Sequence, residues 1–262
     1  MLKFCSLYSG STGNCLFVQS DSTHILVDAG VSIKKITQAL DSLDVSIECI
    51  DGILVTHEHS DHVKSIGALS KKYNIPVYAN YETWNHMLEQ KEKVSIENQK
   101  NFINDSDFLI GDLTIHPFST PHDASNPCGF NISNSESKLS IATDLGHMNN
   151  HIFDNLKSSS FVLLESNYDP EVLKCSHYPY HLKTRIAGPT GHLSNSTAGK
   201  TIASLMNYNL KNVMLGHLSK ENNFPELAHQ TILEEIHAAN LMEKNINLNI
   251  ASRDEPSNLI TV

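Results

Sequence analysis

The stretch His57-Glu58-His59-Ser60-Asp61-His62 places three imidazoles and a carboxylate, besides Glu58, within six positions. These residue types suit zinc, manganese or iron, which share imidazole and carboxylate ligands. In an extended chain, side chains two apart share a face, so His57 and His59 can bind one ion together. Asp61 and His62 follow where the chain turns, and can point at a second position. The apolar run Gly52-Ile53-Leu54-Val55 before them reads as a buried strand, and residues 63, 66 and 69 after them are apolar at helical spacing. The blander alternative has Ser60 or Asp61 capping that helix and the histidines solvated. It leaves so dense a set of ligand-type residues without a reason.

Further along, the same arrangement recurs: an apolar strand, then a polar ligand-type residue. Leu113–Phe118 leads to His122, Lys138–Thr143 to Asp144, Phe161–Leu164 to Glu165, and Asn212–Leu215 to His217. Strand ends gathered along one edge are where α/β sheets place their sites. Before the metal stretch, strands are predicted at 4–8, 15–18 and 24–27, the last ending at Asp28-Ala29-Gly30. The turn Ser9-Gly10-Ser11-Thr12-Gly13-Asn14 reads as a hairpin or as a nest of amides near a phosphate. A helix is predicted over 32–43, a strand at 76–79, a hairpin about Gly111-Asp112 and a helix from Gly191–Ala198 to about Tyr208. Residues 81–105 read as a polar, partly helical surface excursion, with Trp84 as a core anchor rather than a substrate contact.

The 262 residues suffice for one large domain or two small ones, and 40% hydrophobic with 18% charged residues is the composition of a soluble globular protein. No apolar run approaches a membrane span, and the N-terminus lacks the pattern of a secretory signal, so no membrane partner is expected. Five scattered cysteines without a CxxC pair fit a reducing cytoplasm. A net charge of −10 argues against a broad basic surface for nucleic acid, but not against a phosphate-bearing substrate at a cationic metal site.

His57-x-His59-x-Asp61-His62, followed in order by His122, Asp144 and His217, resembles the metal signature of the metallo-β-lactamase superfamily. The resemblance implies an α/β (α+β) fold, a four-layer αββα sandwich, here as a single domain over 1–262. It implies two divalent metal ions: one held by His57, His59 and His122, the other by Asp61, His62 and His217, with Asp144 bridging. Two such ions about 3.5–4 Å apart turn a water between them into a hydroxide nucleophile, which Asp61 would orient or deprotonate. The native metal stays open among Mn, Zn and Fe. His59, where redox di-iron members usually carry glutamate, points to hydrolysis. Asp28 resembles a residue that steadies the ligand loop.

The segment His192-Leu193-Ser194-Asn195-Ser196-Thr197-Ala198 resembles that of phosphodiesterase members, in which the histidine protonates the leaving group and a strand-end acid orients it. This implies catalytic roles for His192 and Glu165. Arg185, Ser11 and Asn14 are candidate substrate contacts, Arg185 being equally readable as half of a surface ion pair. Taken with Pro121-His122-Asp123-Ala124 and His217-Leu218-Ser219-x-Glu221-Asn222-Asn223, these segments resemble the bacterial YycJ/WalJ branch over nearly the whole chain, with Cys128 in place of an aliphatic residue. That implies a 5′-to-3′ DNA exonuclease acting on 5′-phosphate ends. The alternative is a thioester or lactam hydrolase of the same superfamily, and a non-enzymatic module fits the intact ligand set less well. Oligomeric state stays open.

Overall fold

The computed structural model describes residues Met1–Val262, which divide into two compact units. The first comprises Met1–Ser119, Ala124–Ser137 and Ser252–Val262; the second comprises Thr120–Asp123 and Lys138–Ala251. In chain order the strands are β1 (Lys3–Tyr8), β2 (Cys15–Gln19), β3 (His24–Val27), β4 (Gly52–Leu54), β5 (Val77–Asn80), β6 (Gln99–Phe102), β7 (Phe108–Ile110), β8 (Leu113–Ser119), β9 (Cys128–Ser133), β10 (Lys138–Ala142), β11 (Phe161–Glu165), β12 (Asn212–Gly216), β13 (Asn247–Ile250) and β14 (Ile260–Thr261). The helices are α1 (Ile33–Asp41), α2 (Ser60–Val63), α3 (Ile66–Tyr73), α4 (Tyr81–His86), α5 (Leu88–Lys91), α6 (Asn150–Leu156), α7 (Pro170–Cys175), α8 (Tyr180–Ile186), α9 (Asn195–Met206) and α10 (Pro225–Ala238). The chain is thus mixed α/β, as expected, and its strands fall into two sheets.

In the first unit a sheet runs in the order β14-β1-β2-β3-β4-β5-β6. Strands β1 to β3 are antiparallel, and β3 to β6 are parallel. Its core gathers Phe17, Leu26 and Ile53 from strands with Ile36, Leu40 and Leu69 from α1 and α3. Ser32 starts α1 by accepting the Lys35 amide, and the helix turns Ile36, Ala39 and Leu40 inward. Trp84 is buried and its indole N–H reaches Lys100 O at 3.1 Å, so it is a core anchor. The polar excursion holds more order than expected: after α4 and α5 the chain lays β6 parallel to β5. Its sequence, Gln99-Lys100-Asn101-Phe102, has one buried side chain, and backbone pairing rather than an apolar pattern makes it a strand.

The same unit contains the antiparallel trio β7-β8-β9. The hairpin about Gly111-Asp112 is present, with Ile110 facing Leu113 and Gly111 at φ +56°. Asp112 Oδ1 accepts the hydroxyls of Ser20 (2.6 Å), Ser22 (2.8 Å) and Thr23 (2.6 Å), tying this hairpin to the β2–β3 turn. The second unit is built on the parallel quartet β10-β11-β12-β13. Strands β10 and β11 are almost entirely buried, as a helix-covered parallel sheet requires. Helix α9 is capped by Ser194, whose hydroxyl accepts the Thr197 amide, and packs with α10.

Those three hydroxyls hold the Asp112 carboxyl down to about 2, against an ordinary value of 3.8. A depressed carboxyl stabilises the fold above its unfolded pKa, and the contribution is lost as pH falls through the folded one. Asp112→Asn is therefore expected to cost below about 1 kcal/mol at pH 7, since the site is solvent-screened. Urea denaturation from pH 7 to pH 2 should show the two curves converging below pH 4; a gap that persists at pH 2 would contradict this account.

Candidate metal centre and active site

In the first unit, the site grows from the ends of β3 and β4. Asp28 follows β3 in the left-handed region, at φ 61°. Its Oδ1 accepts the Thr56 amide at 2.9 Å; its Oδ2 accepts the Thr56 hydroxyl at 2.8 Å and lies 2.7 Å from His62 Nδ1. On the other side of the His62 ring, Asn14 Nδ2 lies 3.0 Å from Nε2, so the ring presents its Nε2 lone pair there and keeps its proton on Nδ1. A carboxylate behind an imidazole in this way fixes the tautomer and raises ligand basicity. His57 Nε2 and His59 Nδ1 converge at 3.1 Å. Neither Ser60 nor Asp61 caps α2: the N-cap position is His59, with no side-chain cap bond.

The loop that carries these residues is stitched to two glycine-containing turns. The Asn14 amide donates to Asp61 O, the Ala29 amide to His62 O and the Gly30 amide to Asn14 O, each at 2.8 Å. Gly30 lies so close to the loop that a Cβ would overlap the Asp61 carbonyl. This also decides the Ser9–Asn14 turn. The amides of Ser9, Gly10, Gly13 and Asn14 all donate within the protein, so they are not an open phosphate nest. Asn14 is buried and supports the loop; Ser11 is exposed at the turn.

In the second unit, the focus is Glu165 at the end of β11. It is fully buried and accepts four donors: His192 Nδ1 at 2.8 Å, His217 Nδ1 at 2.9 Å, and the amides of Leu145 and Leu193 at 3.0 and 3.1 Å. Burial pushes its carboxyl up, but the two imidazoles outweigh that and hold it well below the usual range. Asp144 follows β10; its Oδ1 lies 3.4 Å from His217 Nδ1, 3.7 Å from His192 Nδ1 and 3.8 Å from His122 Nε2. His122 donates from Nδ1 to Gly191 O at 3.0 Å, and burial pushes its pKa down, which keeps the ring neutral as a ligand must be. Atoms of Asp144, Glu165, His192 and His217 fall within 4.8 Å of one another. Arg185, 55% exposed, forms an ion pair with Asp123, so the surface-pair reading describes its contact here.

The donor chemistry fits divalent cations. His62, His122, His192 and His217 each have Nδ1 engaged by an oxygen, so Nε2 is the ring nitrogen each would turn to a metal, His62 only once Asn14 Nδ2 gives it up. Beyond Asp28 and Glu165, sequence reasoning did not single out what supports these groups. Asn167 Nδ2 donates to His217 O at 2.7 Å, and Asn223 Nδ2 donates to the Ser166 and Asn167 carbonyls. The run of polar residues just past β11 and β12 was the available signal. Thr56, Gly30 and Gly191 are likewise visible only once the loops are placed.

A sequence model of the metallo-beta-lactamase superfamily matches residues 8–217, running through both units, and the chain belongs to that superfamily of metal-dependent hydrolases. Within it, the chain is 38% identical to exodeoxyribonuclease YycJ of Bacillus anthracis over 239 residues, covering 88% of each chain. It is 35% identical to exodeoxyribonuclease WalJ of Streptococcus pneumoniae over 241 residues, covering 91% of this chain and 90% of that one. Among solved structures, the metallo-beta-lactamase fold protein YhfI of Bacillus subtilis superposes with a TM-score of 0.70 at 17% identity, covering 98% and 99% of the two chains, which shows the shared fold. No helix is long and apolar enough to cross a membrane.

Gly30→Ala should force the loop bearing Asp61 outward. The expected loss is about 1–3 kcal/mol of stability, the usual scale of overpacking. Chemical denaturation would read it, and wild-type stability in the variant would mean the close approach is not real.

Proposed function

We propose that this protein is a single-domain, metal-dependent 5′-to-3′ DNA exonuclease that uses a dinuclear metal centre. The observation that carries the reading is the Glu165–His192 pair: a buried carboxylate fixing an imidazole that is still 18% exposed. Lactam or thioester opening has no need of such a pair, whereas a phosphodiester leaving group needs a proton. His57, His59 and His122 would hold one divalent ion, and Asp61, His62 and His217 the other, with Asp144 shared; manganese or zinc, and alternatively iron, suit these ligands. When bound, the ions would polarise the phosphate and acidify the attacking water. Asp61 orients that water. His192 in its doubly protonated form, its Nδ1–H anchored on Glu165, delivers the Nε2 proton to the leaving oxygen and is left as the neutral Nδ1–H imidazole. The similarity to YycJ and WalJ, which bear the name exodeoxyribonuclease, supports DNA as substrate. The five free cysteines fit action in the cytoplasm.

The resemblance to the exodeoxyribonucleases supplies the direction, and charge gives a partial reason for the preference for a phosphorylated end. A terminal 5′-phosphate carries more charge than a diester, so donors beside the metals can select it. With a net charge of −10, binding along the duplex is weak and the end contact supplies much of the selectivity. Arg185 is the chief donor, exchanging Asp123 for the phosphate, with Ser11 as an exposed second contact; Asn14 acts through the loop it supports.

His192→Ala should keep its metal content by elemental analysis and lose about 10²–10⁴-fold in DNA cleavage, the usual scale of general acid catalysis. Loss of metal, or cleavage at the wild-type rate, would reassign the residue. Arg185→Ala should reduce the preference for 5′-phosphate over 5′-hydroxyl ends, read as initial rates on end-labelled duplexes beside a covalently closed circle. Equal rates on linear and closed DNA would defeat the exonuclease assignment, and turnover of a thioester or lactam without any DNA cleavage would favour the small-molecule alternative.

A further inference from the structure

The second unit carries an open pocket of about 470 Å³ beside α7 and α8, separate from the ligand residues of that unit. Tyr168, Tyr178 and Tyr180 line it, three of the chain's eight tyrosines, with Lys174, Lys183 and Thr184. Tyr168 is buried and packs with Leu173 and Ile186 in a small apolar cluster that Tyr178 joins. Tyr180, by contrast, is 84% exposed at the start of α8. An aromatic ring left open on a pocket rim is a ready stacking platform.

We infer that this pocket binds an unpaired nucleobase of the DNA substrate, with Lys174 and Lys183 on its flanking phosphates; the inference rests on the nuclease reading above. Charge supports the choice of occupant. Residues 168–187 carry Lys174, Lys183 and Arg185 against Asp169 and Glu171, an excess of one positive charge in a chain of net −10. Lys174 faces Glu171 at 3.5 Å, but both side chains are mostly exposed, so phosphate can compete for the ammonium. Rings that stack, beside cations that track the backbone, are the combination that binds single strands regardless of sequence. The pocket is also mechanically tied to the proposed acid. The His192 amide donates to Ile186 O at 2.8 Å, and Gly191 packs so tightly on the end of α8 that a Cβ would overlap the Arg185 and Ile186 carbonyls. Holding a base against α8 therefore restrains the strand relative to the segment that bears His192.

The test is fluorescence anisotropy of a labelled phosphorothioate oligothymidylate, which resists hydrolysis, titrated with the full-length protein and with Tyr180→Ala, Tyr178→Ala and Tyr180→Phe. Each alanine variant should bind about 5–100-fold more weakly, the loss of one stacked base, whereas Tyr180→Phe keeps the ring and binds within about twofold of wild type. Because the Tyr180 ring is exposed, its variants should melt with the wild type, which separates lost stacking from lost fold. Wild-type affinity in Tyr180→Ala, or no oligonucleotide binding by the wild type, overturns the inference. Cleavage of 5′-phosphorylated duplex by the same preparations keeps the two ideas apart. Tyrosine-dependent binding without any cleavage would retain the pocket and sink the nuclease reading. Cleavage with tyrosine-independent binding would do the reverse.

Discussion

Each unit anchors candidate ligand imidazoles on one buried carboxylate. In the first it is Asp28, which accepts the Thr56 amide and hydroxyl and His62 Nδ1. In the second it is Glu165, which accepts two imidazoles and two amides. A carboxylate removed from water is costly unless its oxygens are satisfied. Once satisfied it becomes a rigid reference point, because none of its partners can rotate without leaving it unpaired. That rigidity orients the imidazoles, and orientation is what a metal site demands of its ligands.

The same constraint explains backbone that would otherwise be unfavourable. Asp28, Asp144 and His217 all lie in the left-handed region, at φ 61°, 58° and 55°, and each directly follows or nearly follows a sheet strand. Such conformations cost of order 1–3 kcal/mol for a residue other than glycine, and aspartate tolerates them better than histidine does. The surroundings offset the cost with directed bonds: the Asp28 amide to Leu54 O at 2.8 Å, and Asn167 Nδ2 to His217 O at 2.7 Å.

Much of this was legible before the fold was known. Apolar strands ending in Asp28, Asp144, Glu165 and His217 appear as such, because burial on both faces writes continuous apolar runs into parallel strands. Trp84 and the Gly111-Asp112 hairpin were equally plain. The strand β6 was not, since its stability comes from pairing with β5 and its side chains mostly face water. Nor was the role of Asn14 or of Gly30: their importance is set by Asp61 and His62, more than thirty residues away in sequence, and only tertiary placement reveals that approach. Arg185 was legible only as a choice between a phosphate contact and a surface ion pair, and in the structure it pairs with Asp123.

Central to the site is that the candidate ligand imidazoles are held as Nδ1–H tautomers that present Nε2, with Asp28 as the acceptor for His62, Glu165 for His217 and the Gly191 carbonyl for His122. Long-range nitrogen–proton NMR of uniformly labelled protein reads this directly, with single His→Gln variants assigning signals among the fifteen histidines. Titration with zinc should perturb the Nε2 resonances of His62, His122 and His217 while their Nδ1–H signals persist. Finding these rings protonated on Nε2, or seeing no shift of those nitrogens on adding zinc, would contradict the claim that the buried carboxylates aim them at metal.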